Sequence, residues 1–230
     1  MLKKIYKTLH KEYGPQGWWP VNGRYNKNDF SIPRNSKEQF EIILGTILTQ
    51  NTSWKNVEKA IANLRKENLI GPAKITEANN KIIAQAIRPS GYFNQKTERL
   101  KIISDFLLKN KNLSCLPVEK LREVLLEIKG IGPETADSII LYAFNKPSFV
   151  IDLYTKRIFS RLGLCKEDCK YNELQDLFHA NLEKDANLFN EYHALIVEHA
   201  KHHCKKIPKC SSCPLQNMCN FNKHLNNSKK

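Results

Sequence analysis

Along most of the chain, apolar residues recur three and four positions apart, the period of a helix that buries one face. Val118, Leu121, Val124, Leu125 and Ile128 follow this spacing, and so do Ala136, Ile139, Ile140, Ala143 and Phe144. The same period predicts helices over 1–13, 36–50, 53–66, 79–87, 94–109, 118–128, 134–144, 152–162, 171–180 and 188–202. Ser36 is the expected cap of the second of these, with Gln39 three residues on as its capping-box partner. No stretch alternates with the period of two that marks a half-buried strand. The expected fold is therefore all-α with short loops, apart from residues 14–35, GPQGWWPVNGRYNKNDFSIPRN, whose Gly, Pro and Asn content marks a longer loop.

One break between helices stands apart. IKGIGPETAD (128–137) interrupts two good helical patterns with two glycines and a proline. Pro133 fits the first position of the second helix, where its missing N–H costs nothing. Gly130 and Gly132 would let backbone approach a phosphate, with the N–H groups that open the second helix facing it. A plain helical hairpin in a bundle would carry the same signature, so the rest of the chain must decide.

Charge narrows the partner. The chain has 37 basic and 23 acidic residues, a net charge of +14, and the last thirty residues hold seven lysines and no acid. Such a surplus points to a polyanion, most often nucleic acid, although a chain can also be basic for solubility alone. The length of 230 residues fits one large or two small domains. No apolar run nears the roughly 18 residues of a membrane helix, and the first residues alternate charge with single apolar positions, unlike a secretory signal. The expectation is a monomer in the cytoplasm, associated with the nucleoid, and without a membrane partner.

Seven cysteines, an odd number, argue against a disulfide framework. Cys204, Cys210, Cys213 and Cys219 are separated by gaps of five, two and five residues. Thiolates this close suit one soft metal centre, either structural zinc or a 4Fe–4S cluster. Their near contiguity, with one pair two residues apart, favours the cluster. Lys205, Lys206 and Lys209 share the loop and would offer it to phosphates. Cys115, Cys165 and Cys169 read as ordinary small core or surface residues.

Taken in order, FEIILGTILTQNT (40–52), PSGYFNQKTERL (89–100), IKGIGPETAD and the cysteine loop resemble the blocks of the endonuclease III superfamily of DNA glycosylases, from about Ser36 to Asn220. The resemblance implies a two-domain all-α fold: a six-helix barrel domain with the helix–hairpin–helix over 36–146, and an iron–sulfur cluster domain built from 1–35 and 147–230, with double-stranded DNA carrying a damaged base in the cleft between. It implies a 4Fe–4S cluster on the four cysteines, although the first gap is one residue shorter than in the best-known members, and a monovalent cation at the turn carbonyls. It implies DNA contacts from Lys129, Gly130, Ile131, Gly132 and Thr135, with Gln50 filling the hole left by a flipped base and Tyr92 wedging against the opposite strand.

The resemblance also makes Asp152 the catalytic carboxylate. It is at the same time the expected cap of the helix that follows it. A carboxylate beside the sugar stabilises positive charge at the anomeric carbon and can orient water. Bifunctional members place a lysine on the second hairpin helix to attack the sugar. Here that position is Glu134, which cannot form an imine and reads as a first-turn acid, while Lys129 sits before the turn. The implied enzyme is a monofunctional glycosylase.

WWP (18–20), LTQNTSW (48–54) and RPSGYFNQK (88–96) are most similar to the 3-methyladenine DNA glycosylase branch, some of whose members lack the cysteine loop. That implies a base pocket of Trp18, Trp19, Pro20 and Trp54, with either adjacent tryptophan as the stacking partner. Aromatic faces attract delocalised cations by roughly 0.5–2 kcal/mol, which suits an alkylated purine such as 3-methyladenine or 7-methylguanine. A glycosylase for oxidised or mismatched bases, or a DNA-structure-binding protein without catalysis, are the alternatives. The histidines, His193, His199, His202 and His203 among them, suggest no catalytic dyad.

Overall fold

The computed structural model describes residues 1–227. Its helices are α1 (Leu2–Tyr13), α2 (Ser36–Leu48), α3 (Trp54–Lys66), α4 (Pro72–Glu77), α5 (Asn80–Ile87), α6 (Phe93–Lys109), α7 (Val118–Leu126), α8 (Pro133–Ser138), α9 (Leu153–Leu162), α10 (Tyr171–Asn181), α11 (Ala186–His202) and α12 (Asn220–Asn227). Among the described residues the only strand-like pairing is a bridge between Val21 and Arg24, so the fold is all-α as the periodicity predicts. No helix among them is long and apolar enough to cross a membrane. Lys229 and Lys230 of the basic tail lie outside the described residues.

Three details differ from the expectation. Asn35, not Ser36, caps α2: its side chain accepts from the N–H groups of Lys37 and Glu38 at 3.1 and 3.0 Å. Gln39 is free to do something else, and donates to the Ala143 carbonyl at 2.9 Å. The predicted helix over 134–144 splits into α8 and a π-helical turn, Ile139–Ala143. Finally, α4 and α12 were not expected: α4 has only six residues, and α12, NFNKHLNN, holds only two well-separated apolar positions.

The chain divides into two compact units: Met1–Trp18 with the segment from Pro147 onward, and Trp19–Lys146. The division falls between Trp18 and Trp19 rather than between 35 and 36. Residues after Trp18 fold onto α2 instead: the Asn22 N–H donates to Glu41 at 2.8 Å, and Trp19, Val21 and Ile32 are buried.

At the centre of the unit 19–146 is α2. Phe40, Ile42, Ile43, Leu44, Ile47 and Leu48 are each at most 2% exposed, so this helix is covered on every side. Each such side chain contributes about 1.5–3 kcal/mol by leaving water. Glu41 is buried with them and pairs with Arg65 at 2.8 Å, which satisfies it. The hairpin helices are joined by a second ion pair. Asp137 on α8 is fully buried and accepts two bonds from the Arg122 guanidinium of α7, at 2.8 and 3.1 Å.

The other unit packs α1 on α11 through Leu2, Ile5 and Leu9, with the Tyr192 hydroxyl donating to the Leu2 carbonyl at 3.0 Å. Its core is aromatic. Phe149 stacks on Phe178 at 3.7 Å and meets Phe189 and Tyr192 edge-on.

Because Asp137 is what neutralises Arg122 between the hairpin helices, Asp137→Ala should cost about 3 kcal/mol of stability, read as a lower urea midpoint by circular dichroism.

Candidate functional site

Within 19–146, the turn between α7 and α8 is anchored from beneath by Ile128 and Ile131, both buried, while Lys129, Gly132, Pro133 and Glu134 are exposed. Gly130 has φ +90°, and a Cβ there would lie 2.6 Å from Arg99 Nε. Conformation and space both demand glycine. Gly132 differs: its φ of −99° suits any residue, and a Cβ would meet nothing within 4 Å. Nothing inside the protein requires glycine at 132.

Gln50 follows the C-terminal end of α2 and lies on this turn. Its Nε2 donates to the Gly130 carbonyl at 3.2 Å and to Thr135 Oγ1 at 3.0 Å, and its Oε1 accepts from the Arg99 guanidinium. Tyr92 precedes α6 in the left-handed region, φ 47° and ψ 33°, and is 68% exposed. A large aromatic residue held in that conformation and in water is costly twice over.

The same unit brings together Trp19, Pro20 and Trp54. Trp19 meets Trp54 edge-to-face at 5.1 Å and Tyr142 at 5.1 Å. A Cβ on Gly45 would come within 2.9 Å of the Trp19 ring, so glycine in α2 makes the seat. The Trp54 indole donates to the Tyr25 hydroxyl at 2.8 Å, which in turn donates to Glu58 at 3.0 Å. Trp19, Pro20 and Trp54 line a cavity of about 210 Å³ whose charged residues are Glu41, Glu58 and Arg65. Trp18 is not part of it. That residue belongs to the other unit, where Lys201 lies over its ring at 5.9 Å.

In that other unit, residues before Asp152 are irregular and deeply set. The Phe149 N–H donates to His179 and the Phe149 carbonyl accepts from Gln175, at 3.0 and 2.7 Å; the Ile151 N–H donates to the Tyr171 hydroxyl at 3.3 Å. Asp152 then caps α9, its Oδ1 accepting from the Thr155 N–H and hydroxyl at 2.7 and 2.8 Å. Its Oδ2 faces His193 Nε2 of α11 at 3.8 Å. Burial lowers the His193 pKa and outweighs the opposing pull of Asp152. His193 therefore stays a neutral imidazole near neutral pH.

Cys204, Cys210, Cys213 and Cys219 line one pocket with Arg161 and His199. Burial first, and then the three neighbouring thiols, help push the Cys213 thiol up to about 11. Arg161 donates to the carbonyls of Lys205 and Lys206 at 2.6 and 3.0 Å and approaches Cys204 Sγ at 3.4 Å; Arg157 donates to the Cys204 carbonyl at 2.9 Å. Lys205, Lys206 and Lys209 are left exposed. No three His, Cys, Asp or Glu side chains among the described residues converge closely enough to hold a single metal ion. His199 and His203 pack around the Tyr13 hydroxyl at 2.9 and 2.7 Å.

A family model described as HhH-GPD superfamily base excision DNA repair protein matches residues 44–184. The chain belongs to the HhH-GPD superfamily. It is a DNA glycosylase of base excision repair. The glycosylase is 45% identical over 225 residues, 95% of its chain and 96% of the relative, to a Methanocaldococcus jannaschii protein provisionally named a DNA repair glycosylase. It is 33% identical over 238 residues to endonuclease III of Sulfolobus acidocaldarius, covering 100% and 99% of the two chains. Among solved structures it matches H. pylori 3-methyladenine DNA glycosylase bound to 1,N6-ethenoadenine, with a TM-score of 0.69 and 31% identity over 87% of this chain and 97% of that one. A non-covalent endonuclease III–DNA complex matches with a TM-score of 0.78 at 22% identity, over 100% and 99% of the chains, a likeness of fold.

Two residues of this glycosylase, Lys96 and Arg99, escaped the sequence reading, and the place of His193 beside Asp152 did as well. Lys96 and Arg99 sit inside PSGYFNQKTERL, and their spacing of three places them on one helix face. That spacing was the available signal. His193 carried none, since α11 and Asp152 are far apart in the chain.

The two hairpin glycines should separate cleanly. Gly130→Ala should cost about 1–3 kcal/mol of stability in a urea melt. Gly132→Ala should leave the melt within about 0.5 kcal/mol and weaken binding of an undamaged duplex in fluorescence anisotropy.

Proposed function

We propose that this glycosylase releases alkylated purines, such as 3-methyladenine and 7-methylguanine, from double-stranded DNA by hydrolysis and without an imine. The cavity lined by Trp19, Pro20 and Trp54 carries this reading. Its two carboxylates against one guanidinium leave it net negative, and aromatic faces attract a delocalised cation. A purine methylated on a ring nitrogen is such a cation, and its glycosidic bond is already weakened. The 31% identity to the H. pylori 3-methyladenine enzyme supports the same substrate class. A glycosylase for oxidised or mismatched bases is the second reading, favoured by the identity to the Sulfolobus endonuclease III.

Asp152 supplies the fixed negative charge. Its cap bonds on Oδ1 hold the carboxylate in place, and a neutral His193 leaves that charge uncompensated. In the reaction it stabilises the positive sugar as the base departs and orients the attacking water. Glu134 occupies the place of the imine-forming lysine, so solvent is the nucleophile. The hairpin from Lys129 to Thr135 grips a phosphate, Gln50 fills the vacated stack, and Tyr92 enters from the opposite side. A monovalent cation at the turn carbonyls would share that of Gly130 with Gln50, for which the second carbonyl lone pair leaves room.

The four cysteines suit a 4Fe–4S cluster. The donor set is all thiol, as such a cluster requires, and the four cysteines line one pocket. The Arg161 guanidinium lines it, where it offsets negative charge, and Arg157 holds the Cys204 carbonyl. When bound, the cluster would act structurally, fixing the loop that presents Lys205, Lys206 and Lys209 to DNA. The enzyme acts as a monomer.

Single-lesion duplexes scored for free base should show release of 3-methyladenine and 7-methylguanine. Asp152→Asn keeps a good helix cap, so its thermal midpoint should hold while single-turnover release drops by about 100-fold or more. Undiminished release would overturn the role of Asp152, and preference for an oxidised pyrimidine would overturn the substrate class. Borohydride treatment with an abasic duplex should trap no covalent adduct; a strong adduct on denaturing gels would refute the reading of Glu134.

A further inference from the structure

Two charged side chains of α6 join three parts of 19–146 that the reading above brings to DNA: the Gln50 loop, the Tyr92 loop and the hairpin turn. Lys96 is 1% exposed. Its Nζ donates to the carbonyls of Leu48 and Ser90, at 2.8 Å each. Leu48 lies two residues before Gln50, and Ser90 two residues before Tyr92. One ammonium thus holds the stems of both loops. Arg99 follows on the same face of the helix. It donates to Gln50 Oε1, and its Nε fills the space where Gly130 has no side chain. Gln50 in turn donates to Gly130 and Thr135 of the hairpin.

Burying an ammonium among carbonyls, without a carboxylate, is expensive. Burial, with the Arg99 guanidinium adding to it, lowers the Lys96 pKa to about 8. An apolar side chain could pack α6 against α2 at lower cost. What the ammonium adds is directional: several donors from one point, which fix two carbonyls at a set separation.

We propose that Lys96 and Arg99 are a positioning pair for base flipping. Lys96 sets the distance between the Gln50 and Tyr92 loops, and Arg99 sets Gln50 against the hairpin turn. The residue that replaces the flipped base, the residue that enters from the other strand and the phosphate grip then engage in one register. This rests on the assignment of Gln50 and Tyr92 as strand-facing residues, and does not depend on which base is removed.

The test is stopped-flow fluorescence with a duplex carrying a tetrahydrofuran abasic analogue beside 2-aminopurine. It reads unstacking at the gap without any base release, so it remains readable if the enzyme prefers another lesion. Gln50→Ala and Tyr92→Ala, run alongside, show whether those two residues drive the signal; if neither changes it, the DNA reading of the two loops fails, and the proposal with it. Arg99→Met and Lys96→Met should each slow unstacking by about tenfold, within the losses that small misplacements cause. Affinity for undamaged duplex should stay within about twofold, and Lys96→Arg should recover most of the Lys96→Met loss. If Lys96→Met does not fold, the half-buried Arg99 carries the test through Arg99→Met. Unstacking at the wild-type rate in Arg99→Met overturns the proposal, and so does a loss that merely tracks weaker binding of undamaged DNA.

Discussion

The burial of α2 on every side is the constraint on which the unit 19–146 depends. A surface helix can slide or tilt against one neighbour, but Phe40 through Leu48 are enclosed and cannot shift without opening voids. The end of α2 is therefore a fixed point, and Gln50 leaves it two residues later. The Glu41–Arg65 pair locks the helix further, because a buried carboxylate accepts only one satisfactory arrangement. The hairpin, the Tyr92 loop and the tryptophan seat all take their positions from this helix.

Asp152 is placed by similar logic in the other unit. Phe149, Val150 and Ile151 are almost wholly buried, and their backbone is held by side chains of α10 and of the residue that opens it. A carboxylate at the end of so rigid a segment, capping a helix, has little freedom. The role proposed for Asp152 draws on that rigidity, since a charge that must first reorient offers less to the transition state.

Much of this was legible in the sequence, for local reasons. The hairpin showed in its glycines and proline, the cap at Asp152 in the VID–helix junction, and the cysteine loop in its spacing. What stayed hidden was convergence. Trp18 and Trp19 are adjacent, and only the fold separates the one packed under Lys201 from the one seated against Gly45. Asn35 and Ser36 are both good caps, and the choice between them turns on a half-turn of backbone that composition does not encode. The burial of Lys96 left no trace in the pattern, because a buried ammonium contradicts the rule that locates cores. His193 meets Asp152 across more than forty residues of chain, beyond the reach of any local period.

The two units also differ in how the chain enters them. Residues 19–146 are contiguous, whereas the cysteine-bearing unit needs α1 together with everything after Pro147. On the ribosome the contiguous unit can close as soon as it emerges, while α1 waits, its apolar face uncovered, for α11. Synthesis therefore makes the cysteine-loop unit the late and vulnerable one, and the interval before α11 arrives is when a nascent chain has most need of a chaperone.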